Sequence, residues 1–301
     1  MNTKKKKLAI ASLTAIAVLA VVALTPARGA LGRLIASITA SRTTSPTAKS
    51  PDSMLAAAPG DVEQRARAAH GWSGSVLDSV ARGAIIYYDA SGEATGQYAI
   101  TIFRGYPDKI RVEIDRGRSA EVFGFDQTSA WKGGVPNLKE EDARDIRAMV
   151  RICPERLLVT RGGGSAYREA GRRIEDSPPV ASGGGPTPVV FDQVEMADTL
   201  GPAAGASRAG DRRSVYYYVN QATSLVETAR WLEPDDPRQD PDDEGAVLTD
   251  IRVDFGGWRE VSGVTWPFEI THSSGGRVDY RIVLNEVRMN QGLTDAVFKK
   301  Q

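Results

Sequence analysis

Apolar and polar side chains alternate at period two through most of the chain beyond residue 79. Lys109–Asp115 sets Ile110, Val112 and Ile114 on one face, and Lys109, Arg111, Glu113 and Asp115 on the other. Ile251, Val253 and Phe255 alternate with Arg252 and Asp254, as Val278, Tyr280, Ile282 and Leu284 do with Asp279, Arg281 and Asn285. Strands of this kind bury one face and leave the other wet, which is the habit of antiparallel sheets. Similar runs predict strands over 79–88, 97–103, 120–125, 190–196, 214–219, 225–231 and 266–272. Turn-forming stretches, ASGEATG between the first two strands and SSGG between the last two, join neighbours into hairpins.

Two segments change period. Asp61–His70 (DVEQRARAAH) has acids in its first turn and Gly71 directly behind it, so a short helix is predicted there. Residues 139–151 (KEEDARDIRAMVR) carry Ala143, Ile146 and Val150 at helical spacing behind Glu140, Glu141 and Asp142. Pro154 then kinks or restarts that helix. A meander of strands interrupted by helical pieces predicts an α+β fold. Its curved antiparallel sheet forms an incomplete, half-open β-barrel, with the helices packed on it as a lid.

The first 29 residues follow neither period. Lys4 to Lys7 precede an apolar run over 8–24, and Ala27 and Gly29 place small residues before a cleavage point. This reads as a signal peptide, or as an N-terminal membrane anchor if it is retained. Residues 30–60 turn to Ser, Thr, Ala and Pro, a composition expected of a disordered tether. Residues 61–301 make up the folded domain, with surface insertions expected near 162–188, 200–211 and 233–246.

At 301 residues, 41% hydrophobic and 25% charged, the composition is that of a globular protein, not a collagen or a multi-span membrane protein. Net charge is zero, but five of the 38 basic residues lie within 1–29, which holds no acid. That leaves 33 basic against 38 acidic residues beyond, a balance of −5 that argues against nucleic acid as a partner. The single cysteine, Cys153, excludes an intramolecular disulfide and reads as a buried residue in a helix.

Candidate chemistry is sparse. The acids Asp235, Asp236, Asp240, Asp242, Asp243 and Glu244 could offer oxygen ligands to a cation, but three prolines and the missing EF-hand spacing favour a solvated connection. Arg161-Gly-Gly-Gly lacks the Gly-Lys-Ser/Thr ending of a phosphate loop. No Gly-x-Ser-x-Gly is present, and His70 and His272 read as ordinary histidines. One Cys and two His do not make a usual zinc set. No catalytic residue, metal or cofactor is therefore expected. Five tryptophans (Trp72, Trp131, Trp231, Trp258, Trp266) and the run Tyr216 to Tyr218 could fill the core or line a concave face.

Two stretches resemble a known family. Residues 62–131, ending in FDQTSAW, resemble the first half of the LolA/LolB-like lipoprotein carriers. Residues 263–298 resemble that family's closing hairpin, with Trp266-Pro267, the Gly275-Gly276 turn, Val287 to Asn290 and Asp295 to Phe298 in order. The chain also resembles exported proteins of soil bacteria in its CPERLLV and ARWLEPDDP segments. The resemblance implies an unclosed barrel with a helical lid over a cavity that holds acyl chains. Arg104, Arg111 and Arg116 all remain open as the family's lid-locking arginine.

The expectation is thus an exported periplasmic protein, monomeric, that binds a lipid or lipoprotein acyl chain without covalent chemistry. It would exchange that ligand with an inner- or outer-membrane protein partner. Phe103, Trp131, Ile146, Val150 and Trp266 are the candidate cavity lining. Two other readings stay open: a membrane-tethered cell-envelope interaction protein with the fold as scaffold, and a hydrolase whose site would show as a buried, charge-coupled Asp, Glu or His in a cleft.

Overall fold

Burial alternates at period two along Lys109–Asp115 and through Leu248–Gly256. The computed structural model describes residues 61–149, 153–158, 167–176, 188–197, 214–235 and 245–300. After helix α1 (Asp61–His70) come β1 (Asp78–Tyr88), β2 (Ala94–Gly105), β3 (Lys109–Asp115), β4 (Ala120–Asp126) and β5 (Ala130–Lys132). Helices α2 (Glu140–Ala148) and α3 (Glu155–Leu158) follow. Next are β6 (Tyr167–Asp176), β7 (Pro188–Ala197), β8 (Ser214–Asn220), β9 (Val226–Pro234) and β10 (Leu248–Gly256). The chain ends with β11 (Arg259–Val261), β12 (Val264–Trp266), β13 (Glu269–Ser274), β14 (Arg277–Met289) and the short α4 (Asp295–Phe298).

Among the described residues, twelve strands form one sheet in the order β5-β4-β3-β2-β1-β14-β13-β10-β9-β8-β7-β6, and β11 and β12 form a separate hairpin. All described pairings are antiparallel, and β5 and β6 remain as edges, so the sheet is not closed into a barrel. The register lines up apolar residues across it: Ile102 faces Val112, which faces Phe123, while Ile85 faces Ile282, which faces Ile270 and then Phe255. One core cluster gathers these with Val194, Tyr217, Ala229 and Val253 from the other half. For side chains so many strands apart to share one cluster, the sheet must curl around them, and that buried side is its concave face.

A bulge between Arg82 and Gly83 helps the curl. A Cβ on Gly83 would stand 2.1 Å from the Val283 carbonyl oxygen, so only glycine lets β14 approach there. The opposite, convex face carries ion pairs: Arg82–Glu286, Arg288–Glu286, Arg281–Glu269, Arg252–Asp254 and Arg230–Asp250. Such exposed pairs stabilise little.

Helix α1 has the bounds its sequence predicts. Gly71, at φ 65°, ends it in a Schellman motif: the Gly71 N–H donates to the Ala68 carbonyl at 3.1 Å and that of Trp72 to Arg67 at 2.9 Å. Elsewhere the structure differs from expectation. Residues 167–176, within the expected insertion near 162–188, form the edge strand β6. Their sequence, YREAGRRIED, has no apolar alternation, so only pairing with β7 reveals the strand. The run 266–272 splits at Pro267, which lacks the N–H a central strand requires, into β12 and β13. Cys153 is buried but stands in the turn before α3, not within a helix. The N-terminal segment 1–29, the tether 30–60, Arg161, the stretch 200–211 and Asp236 to Glu244 of the acidic loop lie outside the described residues.

Candidate functional site on the concave face

The two ends of the concave face are built differently. At one end α1, α3 and the β11–β12 hairpin pack over the start of β1 and the end of β2, and buried polar groups fasten them. Arg104 of β2 has Nε 3.5 Å from Glu155 Oε1 of α3, and both side chains are under 10% exposed. The Tyr106 hydroxyl donates to the same carboxylate oxygen at 3.0 Å and lies 3.0 Å from Ser79 Oγ. Burial pushes the Glu155 carboxyl up against the pull of Arg104. Arg156 Nη1 reaches Asp108 Oδ1 at 3.0 Å. On α1, Arg65 Nη2 holds the buried Asp192 of β7 at 2.7 Å.

His70 completes this end. Its Nε2 accepts the Val226 N–H at 3.1 Å, so the proton sits on Nδ1, which donates to the Thr265 carbonyl at 3.0 Å. Burial lowers its pKa against the Thr265 bond, so the ring is held neutral.

At the other end the groups are aromatic rings and a short ion-pair chain. Period two brings Tyr98 of β2, Tyr87 of β1, Tyr280 of β14, His272 of β13 and Trp231 of β9 to one band of the concave face. Ring centroids run Tyr98–Tyr87 6.1 Å, Tyr87–Tyr280 6.1 Å, Tyr280–His272 4.7 Å with planes 6° apart, and His272–Trp231 6.4 Å. Met149, just after α2, touches this band through its sulfur, 3.5 Å from the Tyr280 hydroxyl. Burial raises the Tyr280 pKa well above the ordinary phenol value.

The ladder ends on Arg116, in the β3–β4 turn, whose guanidinium lies 4.7 Å from the Tyr98 ring centre and 5.5 Å from that of Tyr87. Arg116 Nη2 pairs with Glu121 Oε2 at 2.9 Å, and Lys132 Nζ with Glu121 Oε1 at 2.6 Å. Burial pushes the Glu121 carboxyl up, but Lys132 and Arg116 together hold it below the usual range.

The four described residues expected to line a cavity do not all come together. Ile146 and Trp266 belong to the concave core, and Trp266 stacks on Trp72 at 6.4 Å beneath the hairpin. Phe103 and Trp131 project from the convex face, because their neighbours Ile102, Arg104 and the Phe123–Lys132 pair take the concave side. There Arg111 lies 5.8 Å over the Trp131 ring, and the indole N–H donates to the Phe298 carbonyl at 2.6 Å, fastening α4. Val150 lies outside the described residues. The three open arginines separate likewise: Arg104 faces Glu155, Arg111 is convex, and Arg116 caps the ladder. The ladder itself was partly legible, since alternation already put Tyr280 on the face of Ile282.

Burial pushes the Cys153 thiol up to about 12, so it carries no useful thiolate at neutral pH. Glu155 is buried and charge-coupled, the signature set for a hydrolase. It is closed in by Tyr106, Arg104 and α3, however, and lines neither described depression. One of those, about 550 Å³, lies over Ala84, Ile86, Ala99 and Val283; the other, about 220 Å³, lies between Asp126, Trp131 and Lys300.

No family model and no curated protein matches the chain. Solved structures do. A LolA superfamily protein from Nitrosomonas europaea is similar over 81% of this chain and 99% of its own, at 11% identity and a TM-score of 0.47. A DUF1329 family protein from Desulfovibrio piger covers 80% and 95%, at 12% identity and TM-score 0.38. A domain described as an outer membrane lipoprotein-sorting protein from Vibrio parahaemolyticus covers 79% and 94%, at 11% identity and TM-score 0.41. At these identities no residue role passes from one chain to another.

Proposed function

We propose that this chain is an exported, periplasmic carrier that holds a lipid or lipoprotein acyl chain against its concave face without covalent chemistry. It works as a monomer and passes its ligand to a membrane partner. The observation that supports this best is the ring ladder from Tyr98 to Trp231, which continues the aliphatic lining of the sheet beyond the end that α1 and α3 cover. Aliphatic chain laid along it gains roughly 0.8 kcal/mol per buried CH₂. The core residues beneath are closely packed, with Ile85 and Ile282 at most 1% exposed. Ligand therefore enters by displacing what lies over the rings, and a partner that binds the displaced state better drives release.

Expression of the full chain in a bacterial host, gentle purification and lipid mass spectrometry test the proposal. A stoichiometric acyl lipid is expected, lost when Tyr87 and Tyr280 are both replaced by Ser in a folded protein. A lipid-free protein that also ignores a fluorescent acyl probe would overturn it.

A further inference from the structure

One sulfur stands against the ring ladder. Met149 follows the last turn of α2, is half-buried and packs against the concave core. Its Sδ accepts a hydrogen bond from the Tyr280 hydroxyl at 3.5 Å. Tyr280 in turn stacks on His272 at 4.7 Å and lies 6.1 Å from Tyr87, so the sulfur meets the ladder in its middle. The other two methionines among the described residues, Met196 and Met289, are 3% and 7% exposed within the core. Of the three, Met149 is the one an oxidant reaches without opening the fold.

A thioether is a weak hydrogen-bond acceptor and is readily oxidised, whereas a sulfoxide is polar and accepts strongly. The phenol that already points at the sulfur therefore favours the oxidised product, since an oxygen added to Sδ comes within reach of the Tyr280 hydroxyl. We propose that Met149 is a reversible oxidation site and, resting on the acyl-carrier reading above, that its sulfoxide weakens the hold on the acyl chain. In the forward step one oxygen of hydrogen peroxide bonds to Sδ as the O–O bond breaks, and the other leaves as water with both protons. Sulfur loses two electrons and the peroxide gains them. In the reverse step a dithiol reductase removes the oxygen as water and becomes a disulfide. Held by Tyr280, the sulfoxide puts a polar group where aliphatic chain lies on the rings. It also fastens the end of α2 to β14, across the path that the ligand must open.

The full chain is treated with hydrogen peroxide while peptide mass spectrometry follows each methionine and a fluorescent fatty acid reports affinity. Met149 is expected to oxidise about tenfold faster than Met196 and Met289, with affinity falling about tenfold in step. Treatment with methionine sulfoxide reductase restores the affinity. Met149→Leu removes the response to peroxide. Tyr280→Phe keeps the ring and the oxidation but loses most of the fall in affinity, which general oxidative damage would not do. Oxidation of Met149 no faster than that of Met289 overturns the site. Selective oxidation with unchanged affinity overturns its effect on the ligand and leaves the carrier reading intact. An untreated chain that binds no probe overturns the carrier reading and that effect together, and the mass spectra then decide the oxidation site alone.

Discussion

The two ends of the concave face both hold polar groups, yet they use them in opposite ways. Where α1 and α3 pack, polar groups are held by residues far away in sequence: His70 by Thr265 and Val226, Glu155 by Tyr106 and Arg104, Asp192 by Arg65. His70 and the Arg104–Glu155 pair are buried, so they hold elements in place. At the ring end Arg116, Glu121 and Lys132 satisfy one another over a turn and a neighbouring strand, and they stay partly exposed. Loss of a polar group should therefore cost more stability at the first end than at the second.

The largest effect is expected from Glu155→Ala. It takes from the buried Arg104 the carboxylate that faces it and should cost about 3–5 kcal/mol, read from urea unfolding. Arg116→Gln, judged by the same measurement, should cost about 1 kcal/mol or less. A comparable loss from both would erase the contrast between the ends. Gly71→Ala comes next: it forces φ 65° on a residue with a Cβ and drives that atom to 2.1 Å from the Gly263 carbonyl oxygen. A loss of about 2 kcal/mol or more is expected, shown as a lower Tm.

A smaller effect is a pH dependence at the covered end. The folded pKa of His70 is depressed, so the unfolded chain binds the proton more readily. Stability should be full above about pH 6.5 and decline as pH falls from there towards the folded value. His70→Gln should flatten that slope in thermal melts taken at successive pH values. The smallest effect belongs to the convex face, where Arg82→Ala breaks the exposed pair with Glu286 and should cost roughly 0.5 kcal/mol.

Much of the fold was legible because local chemistry and tertiary packing agree. KIRVEID reads as a strand with Ile110, Val112 and Ile114 inward, and all three are buried in β3. DVEQRARAAH followed by glycine reads as a helix that stops at His70, as α1 does. Strand β6 was not legible, since YREAGRRIED has no inward apolar row and owes its extended form to β7. The candidate site was less legible than the fold. Phe103 and Trp131 are large and aromatic, yet a one-residue step along a strand decides the face, and both fall on the convex side.

What the chain determines by itself is the alternation that makes a wet-and-dry antiparallel sheet and the helix cap at Gly71. These follow from interactions between residues a few positions apart. Tertiary structure alone decides which rings meet and which charges become partners. Tyr98 and Trp231 are brought to one band by the register of strands 133 positions apart, and Arg104 finds Glu155 only because α3 returns across β2. Registers and returns of that kind are set by packing the whole concave core, which no window of sequence contains.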